Sequence, residues 1–288
     1  MLGSYRKAGD ISRKVKAKAL AFIRPGMSLL EIAEFIESNI KALDAKPAFP
    51  CNLSLNNVAA HYTPDRSSTV VFNEDDVLKV DFGVHVNGYI SDLAFSLNPS
   101  QKHKDLVKAS ESALAEAVKL STPGRDLSEI GAAIEDKIKS FGFKPIGNLS
   151  GHLLEQFNLH AGLTIPNIRA KEGVLEDGMV IAIEPFATDG AGWVVDSPEA
   201  FIFRYFRDRP VRLPDARKIL ELAKGDFASL PFTVRWVDLP PARLNLALSQ
   251  LLRANALYRY PVLKEKSGGM ISQAECTVIV GDKPEVIN

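Results

Sequence analysis

The feature that most constrains the fold is an internal repeat with a displacement of 98 residues. Segments 25–47 and 123–145 share eleven identical residues over 23 aligned positions, whereas average composition gives about one or two by chance. Both segments open with Pro-Gly and close with Lys-Pro, and the stretch 74–81 recurs as 176–184 with one extra residue. We therefore predict one domain over 1–288, built of two like halves at about 1–100 and 101–288 with a site at their seam.

Each half is predicted to open with the same elements. Apolar residues at helical spacing predict a first helix over 11–23 in one half and over 104–120 in the other. After each Pro-Gly break, Ser28 and Asp126 are placed to cap a second helix, with Glu31 and Glu129 three residues later. β-rich segments follow both helix pairs, so the predicted fold class is α/β.

The second half is interrupted late in the chain. A Pro- and Arg-rich stretch follows 201–205, and helical patterns occupy 215–224 and 241–256 before strand character returns at 273–280. We predict a helical insertion at about 207–262. Such an insertion would have one of two roles: it would pack against the two halves, or it would shape one wall of a functional cleft.

Two aspartates fall on one face of a predicted hairpin. An Asn-Gly pair at 87–88, between alternating apolar runs, is a strong signal for a two-residue turn. That turn makes Asp81 and Asp92 diagonal neighbours on the same face, about 7–8 Å apart at the backbone. Gly83 has no side chain and leaves room beside them. His85 lies on the same face, and the pattern alone fixes no role for it.

Two more acids are embedded in apolar strands. Glu184 ends the apolar run 179–183, and Glu275 opens the run 276–280. A pair such as Asp81 and Asp92 is most often solvated on an exposed sheet face. An unpaired carboxylate inside an apolar strand is costly, however, and adjacent carboxylates resist ionising together without a cation. With histidines available as well, these acids predict a site for a divalent metal.

Composition excludes several classes of protein. The 288 residues carry 35 Lys+Arg and 35 Asp+Glu, so the net charge gives no case for nucleic acid or an anionic membrane as partner. No apolar run approaches the ~18 residues of a membrane span, and residues 1–18 lack the apolar core of a secretory signal. Cys51 and Cys276 form no disulfide framework. We therefore expect a cytoplasmic protein with no nucleic acid and no membrane partner.

Five ordered stretches of the chain resemble the methionine aminopeptidases, specifically their type II branch in its short, archaeal-like form, within the M24 metallopeptidases. The stretches are 49–64 (FPCNLSLNNVAAHYTP), 80–92 (VDFGVHVNGYISD), 150–167 (SGHLLEQFNLHAGLTIPN), 183–188 (IEPFAT) and 273–280 (QAECTVIV). The resemblance covers essentially the whole chain. It implies a "pita-bread" fold of two pseudo-twofold-related α/β halves with a helical insertion, in agreement with the repeat.

Matched residue by residue, the resemblance implies a site for two divalent ions, which could be cobalt, manganese, iron or zinc. The implied ligands are Asp81, Asp92, His152, Glu184 and Glu275; the implied substrate contacts are His61 and His160; the implied methionine pocket is lined by Phe49, Leu159 and Tyr260. The implied reaction removes an N-terminal methionine that precedes a small residue. A metal-bound hydroxide attacks the first carbonyl, His160 helps to stabilise the oxyanion, and Glu184 carries the proton to the leaving amine.

The resemblance also implies the partners. They are peptides and nascent polypeptides that begin with methionine, with the ribosome as one place of action, and the protein is expected to be a monomer. One departure is Cys276, which stands where the family pattern has a histidine. This change could alter hydrogen bonds behind the metal ligands, and it could make the enzyme more sensitive to oxidation.

Two other functions stay open at this point. A prolidase or aminopeptidase P shares the fold but usually carries an extra N-terminal domain, whereas here the repeat begins close to Met1. The predicted insertion also favours the methionine enzymes. A non-catalytic relative that binds protein or RNA would be expected to have lost metal ligands, and all five are present.

Overall fold

The helices confirm the order expected from the repeat. In the computed structural model, which describes residues 1–170 and 173–288, they are α1 (Leu2–Phe22), α2 (Leu29–Lys41), α3 (Lys104–Leu120), α4 (Leu127–Ser140), α5 (Pro214–Gly225) and α6 (Pro241–Arg253). Ser28 caps α2 by accepting a hydrogen bond from the amide of Glu31 at 3.1 Å. Asp126 caps α4 by accepting one from the amide of Ser128 at 2.8 Å. Both caps satisfy amides that the first turn of a helix leaves unpaired.

Helix α1 begins at Leu2, well before the start predicted near Ile11. The reason is that the first residues continue the buried face of the helix. Tyr5 and Ala8 are buried, and the Tyr5 hydroxyl donates a hydrogen bond to the carbonyl of Leu154 in the second half at 2.9 Å. A helix whose early turns pack against another element is stabilised by that packing rather than by its own polar sequence.

The strands of the first half are β1 (Lys46–Pro47), β2 (Asn52–Leu55), β3 (Val58–Ala60), β4 (Leu78–Val86) and β5 (Tyr89–Leu97). Those that follow in the second half are β6 (Lys144–Pro145), β7 (Ser150–Leu153), β8 (Thr164–Pro166), β9 (Val180–Ile183), β10 (Phe186–Thr188) and β11 (Val194–Tyr205). The remaining strands are β12 (Phe232–Thr233), β13 (Leu257–Glu265), β14 (Ile271–Gln273), β15 (Cys276–Ile279) and β16 (Glu285–Val286).

The pairing of strands is similar in the two halves. In the first half β4 pairs with β1, β2 and β5. In the second half β10 pairs with β6 and β14, and β9 pairs with β7 and β15. The segment β9–β10 thus occupies the place of β4, and β14–β15 occupies the place of β5. This correspondence explains why the Lys-Pro dipeptide recurs, since β1 and β6 are both short edge strands.

The predicted strand over 273–280 is divided into β14 and β15. The break falls at Ala274 and Glu275, where the amide of Glu275 donates to the carbonyl of Ala94 in β5 at 2.9 Å. The two halves are therefore joined by backbone hydrogen bonds at the residue that carries a predicted metal ligand. A sequence pattern of period two gives no sign of this crossing between sheets.

Each half has its own apolar core between helices and sheet. Leu29, Ile32 and Ile36 of α2 pack with Phe82 of β4 in the first half. Ile130 and Ile134 of α4 pack with Ile181 of β9 in the second half. Because helix and sheet each bury one face, the opposite faces of the two sheets are free to approach each other at the seam.

The segment between β11 and β13 holds α5, α6 and a single 3-10 turn at Val234–Trp236. It encloses a third core, in which Ile219 of α5 and Leu248 of α6 pack with Phe232. Strand β13 begins at Leu257, so the last residues of the range 207–262 belong to the sheet that includes β11 and β3. Among the described residues, no helix is both long and apolar enough to cross a membrane.

Candidate metal centre and active site

The ten residues singled out from the sequence lie around one cavity at the seam between the halves. They are Phe49, His61, Asp81, Asp92, His152, Leu159, His160, Glu184, Tyr260 and Glu275. Asn52, Ala60, Ile202 and Pro231 complete the lining. The cavity therefore receives side chains from both halves and from the segment between β11 and β13.

Strands β4 and β5 position the two aspartates in the predicted register. Asp81 pairs with Ala94 and Gly83 pairs with Asp92 across the hairpin. Gly83 matters for a different reason from the one the sequence predicts. A β-carbon at Gly83 would lie 2.3 Å from the ring of Phe49, so the space beside the aspartates holds that ring. A glycine is required here by the close approach of an aromatic side chain.

The second half contributes one ligand from within a strand and two from strand ends. His152 lies on β7, and its Cα partner is Ala182 on β9. Glu184 follows β9 directly, and Glu275 precedes β15. The pairing of Cys276 with Ile183 brings the two glutamates to facing positions at the break in both strands. Strand ends are suitable places for metal ligands because the backbone there is not held in a continuous ladder of sheet hydrogen bonds.

Three of these side chains are close enough to hold one metal ion. One ligand atom from each of Asp92, His152 and Glu275 lies within 4.8 Å of the others. The Nε2 atom of His152 is 3.6 Å from Asp92 Oδ2 and 3.8 Å from Glu184 Oε1. A carboxylate-rich set with one imidazole suits borderline divalent cations.

The carboxyl groups are held in an environment that disfavours negative charge. Burial raises the pKa of Asp81 to about 7. Burial, together with the neighbouring acids, raises the pKa of Asp92, Glu184 and Glu275 well above the usual range. Asp81 Oδ1 and Asp92 Oδ1 are buried without a hydrogen-bond partner in the described part of the chain. A divalent cation would remove both costs, so the residues present fit a metal centre.

The two predicted substrate histidines are held on the other side of the cavity. The ring centroid of His160 is 4.4 Å from that of His152 and 6.4 Å from that of Tyr260. His61 Nδ1 is 3.0 Å from the carbonyl oxygen of Pro261. His61 also has a backbone φ of +65°, a strained conformation for a residue with a side chain and one that is frequent at functional sites.

Burial disfavours the charged form of both histidines. Burial lowers the pKa of His160 to about 4, with further lowering from His61 and Arg204. Burial also lowers the pKa of His61. A neutral imidazole can donate or accept a hydrogen bond without adding a positive charge beside a metal ion. His85, by contrast, lies outside this cavity, where its Nδ1 accepts a hydrogen bond from the amide of Gly88 at 3.1 Å.

Sequence reasoning missed Asn52, Ala60, Ile202 and Pro231 as lining residues. Asn52 could have been found, since it precedes the predicted aspartate strand and pairs directly with Asp81 in β2–β4. Ile202 faces Tyr260 across β11 and β13. Pro231 comes from the segment between these strands, and no local pattern marks it. Its position depends on how that segment packs.

Cys276 points away from the cavity. Its side chain belongs to the apolar core of the second half and is 6% exposed, while the adjacent Glu275 reaches the cavity. Burial raises the pKa of the Cys276 thiol to about 12. Oxidation requires an accessible thiolate, so this environment protects the thiol rather than exposing it.

Comparison with known proteins places this geometry in context. The model of metallopeptidase family M24 matches residues 3–225. The chain is 51% identical to a methionine aminopeptidase of Thermococcus onnurineus, over 95% of this chain and 94% of that protein. It is 46% identical to a methionine aminopeptidase of Methanocaldococcus jannaschii, over 95% of this chain and 93% of that protein.

Solved structures share the fold at low sequence identity. A thermophilic Arx1 matches with a TM-score of 0.89 at 19% identity, over 100% of this chain and 90% of that chain. A methionine aminopeptidase of Thermotoga maritima matches with a TM-score of 0.72 at 21% identity, over 99% and 95% of the two chains. These likenesses confirm the predicted fold class.

Proposed function

The chain belongs to metallopeptidase family M24 and to its methionine aminopeptidases, and we propose that its seam cavity is the active site, with two divalent metal ions per chain. Membership makes the protein a metal-dependent aminopeptidase that removes N-terminal methionine. The proposal adds which residues bind the metal, how many ions are bound and which side chains act on the substrate.

The metal-binding part of the proposal is supported by the buried acids at the seam. Asp92, His152 and Glu275 bring three ligand atoms within 4.8 Å of one another. Glu184 lies 3.8 Å from the same imidazole, and Asp81 has an unpaired buried oxygen. We assign Asp92 and Glu275 as the ligands shared by the two ions. We assign Asp81 to one ion, and His152 and Glu184 to the other.

The substrate is held between the ligands and the histidines. When bound, the ions would polarise the scissile carbonyl and lower the pKa of the attacking water. His160 donates a hydrogen bond to the oxygen of the scissile carbonyl, where negative charge develops. His61 contacts the substrate from its fixed position against Pro261. The Glu184 carboxyl, which lines the cavity, moves a proton to the leaving amine.

The apolar side of the cavity accounts for the selection of methionine. Phe49 is 5% exposed and Leu159 is 8% exposed, so both offer a nearly dry surface to an unbranched thioether. Tyr260 packs its ring 5.3 Å from that of His61. Ile202 lies opposite Tyr260 at the cavity wall, and a second residue placed against this wall would have to be small.

The single observation that carries the proposal is the convergence of buried, unpaired carboxylates and one imidazole in a chain of this family. The test is release of free methionine from Met-Gly-Met-Met after chelation and again after addition of Mn(II) or Co(II). We expect release only with metal, and none from an N-acetylated peptide. Cleavage of Xaa-Pro peptides alone would instead indicate a prolidase.

Variants test the assignment of ligands. We expect Asp81→Ala and Glu275→Ala to lose more activity than the roughly 100-fold that loss of an outer partner of a ligand costs. Titration calorimetry with Mn(II) should give two sites in the wild type and fewer in these variants. Asp75→Ala removes an exposed carboxylate outside the cavity and is the matched control. Full turnover of Glu275→Ala in saturating metal would refute the proposal.

A further inference from the structure

The wall of the cavity continues outward as a row of arginine and aromatic side chains. Strands β11 and β13 run antiparallel, with Ile202 opposite Tyr260 and Arg204 opposite Tyr258. Because side chains alternate along a strand, the face that carries Ile202 and Tyr260 in the cavity also carries Arg204 and Tyr258 beyond it. The next residue on the β11 side of this face is Phe206.

These side chains stack on one another. The Tyr258 and Tyr260 ring centroids are 5.1 Å apart. The Arg204 guanidinium lies 5.2 Å from the ring centroid of Tyr258 and 5.9 Å from that of Phe206. The Arg207 guanidinium lies 4.1 Å from the Phe206 centroid. We call Tyr260, Tyr258, Arg204, Phe206 and Arg207 the arginine–aromatic row. It leads from the cavity without interruption.

The row is accessible at its outer end. Tyr258 is 46% exposed and Phe206 is 43% exposed, which is unusual for large side chains that a buried core could take up. Neither Arg204 nor Arg207 forms an ion pair with a carboxylate within the described part of the chain. Their charges are therefore open to a ligand, in contrast to Lys224, which pairs with Asp208 at 2.6 Å.

The chain segment that contains most of the row carries a net positive charge although the whole chain is neutral. Residues 204–259 contain eleven Lys and Arg against five Asp and Glu. Arg204 and Arg207 place two of these positive charges in the row that leads out of the cavity. A negatively charged group that leaves the cavity past His160 would thus meet a favourable potential.

We propose that the arginine–aromatic row binds the substrate beyond the scissile bond, and that it favours acidic side chains at about the third to fifth residues of the peptide. This inference rests on the proposed function, because it takes His160 as the residue beside the scissile carbonyl. The row begins at Tyr260, whose ring centroid is 6.4 Å from that of His160, so the chain after that carbonyl can leave along it.

The dimensions agree with this register. Residues rise about 3.3 Å each along a strand, so Arg204 lies about 7 Å beyond Ile202 and Phe206 about 13 Å beyond it. An extended peptide has the same rise, and it covers that distance with about four residues. Arg204, Tyr258 and Tyr260 share one face of the β11–β13 pair. A peptide that these side chains bind therefore lies across that face, where side chains rather than backbone groups recognise it.

Three hexapeptides test the proposal, each with Met-Ala-Ala at its start. Their fourth and fifth residues are Asp-Asp, Asn-Asn or Lys-Lys. We expect kcat/KM to fall in that order by about threefold to fivefold at each step, the range of an exposed charge pair. The difference among the peptides should appear mainly in KM. The reason is that the row contacts the fourth and fifth residues equally in the enzyme–substrate complex and in the transition state. At about 0.5 M salt the order should flatten.

Variants of Arg204 test whether this residue causes the preference for acidic peptides. Arg204→Glu should reverse the order of the three peptides, and Arg204→Gln should make them nearly equal. Arg217→Gln removes an exposed arginine on α5 outside the row, and it should keep the wild-type order. If Arg204→Glu does not fold, Arg204→Gln still decides the question. Equal use of the three peptides by the wild type at low salt would overturn the proposal.

Two further results would distinguish failure of the proposed function from failure of the proposed row. Failure to release methionine from any peptide, including Met-Gly-Met-Met, would refute the proposed function rather than the row. A labelled short single-stranded RNA, followed by fluorescence anisotropy, tests the other chemistry that arginine and aromatic groups recognise. Binding of that RNA that is lost in Arg204→Gln, with equal use of the peptides, would make the row a nucleic-acid surface and overturn the proposal.

Discussion

Asp92 and Thr277 exchange two hydrogen bonds across the seam. The amide of Asp92 donates to Thr277 Oγ1 at 2.7 Å, and this hydroxyl donates to the carbonyl of Asp92 at 2.9 Å. The amide of Thr277 in turn donates to Asn288 Oδ1 at 2.9 Å. A proposed metal ligand on the first half is thus fixed at its backbone by a strand of the second half.

Replacing Thr277 with valine tests this clamp. Thr277 is fully buried, so Thr277→Val leaves the Asp92 amide unpaired. We expect a loss of about 1–3 kcal/mol in the free energy of unfolding and about a tenfold loss of Mn(II) affinity. Urea unfolding and titration calorimetry measure the two effects. Thr69→Val, at an exposed position, should change neither, and wild-type affinity in Thr277→Val would show that the clamp does not position the ligand.

A second prediction concerns the close contact of Gly83 with Phe49. The β-carbon of Gly83→Ala would lie 2.3 Å from the Phe49 ring and 2.9 Å from the β-carbon of Ala48. Since Phe49 forms part of the proposed methionine pocket, its displacement should raise KM for methionyl peptides more than it lowers kcat. The free energy of unfolding should fall by about 1–3 kcal/mol.

The control for this variant is Gly3→Ala. A β-carbon at Gly3 meets nothing within 4 Å, and the residue lies in α1. Alanine there should be neutral or stabilise by about 0.5–1 kcal/mol. A KM in Gly83→Ala equal to that of Gly3→Ala would mean that Phe49 does not shape the pocket.

A third prediction concerns the buried pair of Glu37 and Arg235. Their side chains are 5% and 4% exposed, and Arg235 donates two hydrogen bonds to the carboxylate at 2.6 and 2.9 Å. Trp236 Nε1 donates to the same carboxylate at 2.7 Å. The pair ties α2 to the segment between β11 and β13, which supplies Pro231 to the cavity. Glu37→Gln should cost about 3–5 kcal/mol in stability, because it leaves a guanidinium buried without its countercharge.

An exposed pair provides the comparison for Glu37→Gln. Arg6 and Glu285 are also joined by two hydrogen bonds, both of 2.8 Å, with side chains 49% and 43% exposed. Glu285→Gln should cost less than about 1 kcal/mol. Thermal unfolding of both variants measures these two costs. Equal losses of stability in Glu37→Gln and Glu285→Gln would contradict our expectation that burial makes the Glu37–Arg235 pair the more important one.

A fourth prediction concerns pH and the carboxylate of Glu265. Burial raises its pKa, but hydrogen bonds from Ser267, Gly269 and Ala191 outweigh burial and lower it to about 2. A folded-state pKa below the unfolded value adds stability that is present above about pH 4.5 and is lost as the pH falls towards 2. The contribution at pH 7 is about 1–3 kcal/mol.

Glu265→Gln separates this effect from general acid unfolding. At pH 7 the variant should be less stable than the wild type in urea, and at pH 3 the difference should be smaller. Glu199→Gln, which removes a half-exposed carboxylate from the pair with Lys264, should show little change in either condition. The loss of unfolding free energy caused by Glu265→Gln could instead be the same at pH 7 and pH 3. That result would contradict a lowered pKa of Glu265 as the source of the stability.

Local patterns predicted the elements of the first half well. The Asn-Gly turn and the alternation of β4 and β5 set the register of Asp81 and Asp92, because a two-residue turn admits only one pairing. The caps at Ser28 and Asp126 were also predictable, since they depend on neighbours two or three residues away. Asp81 and Asp92 thus followed from the hairpin, and Glu184 and Glu275 from their place in apolar strands. The choice of His152 and the assignment of all five residues as ligands followed from the family resemblance.

Features that depend on contacts between distant segments were not predictable. The sequence indicates that Gly83 leaves space, but only the fold shows that Phe49 fills it. The break at Glu275 arises from its hydrogen bond with Ala94 on the other half. In the same way, the proposed role of Arg204 depends on its partner Tyr258 in β13, which is remote in sequence and follows α5 and α6.

The joining of Asp92 to Thr277 has a consequence for the time at which the protein becomes active. These residues are separated by 185 positions in the chain, and Glu275 lies almost as far from Asp92. During synthesis the first half can fold around α2 and β4 long before the ribosome reaches β15. The cavity is complete only when that last strand has emerged. A copy still being made therefore cannot yet act on any methionyl peptide, and the reaction is reserved for finished chains.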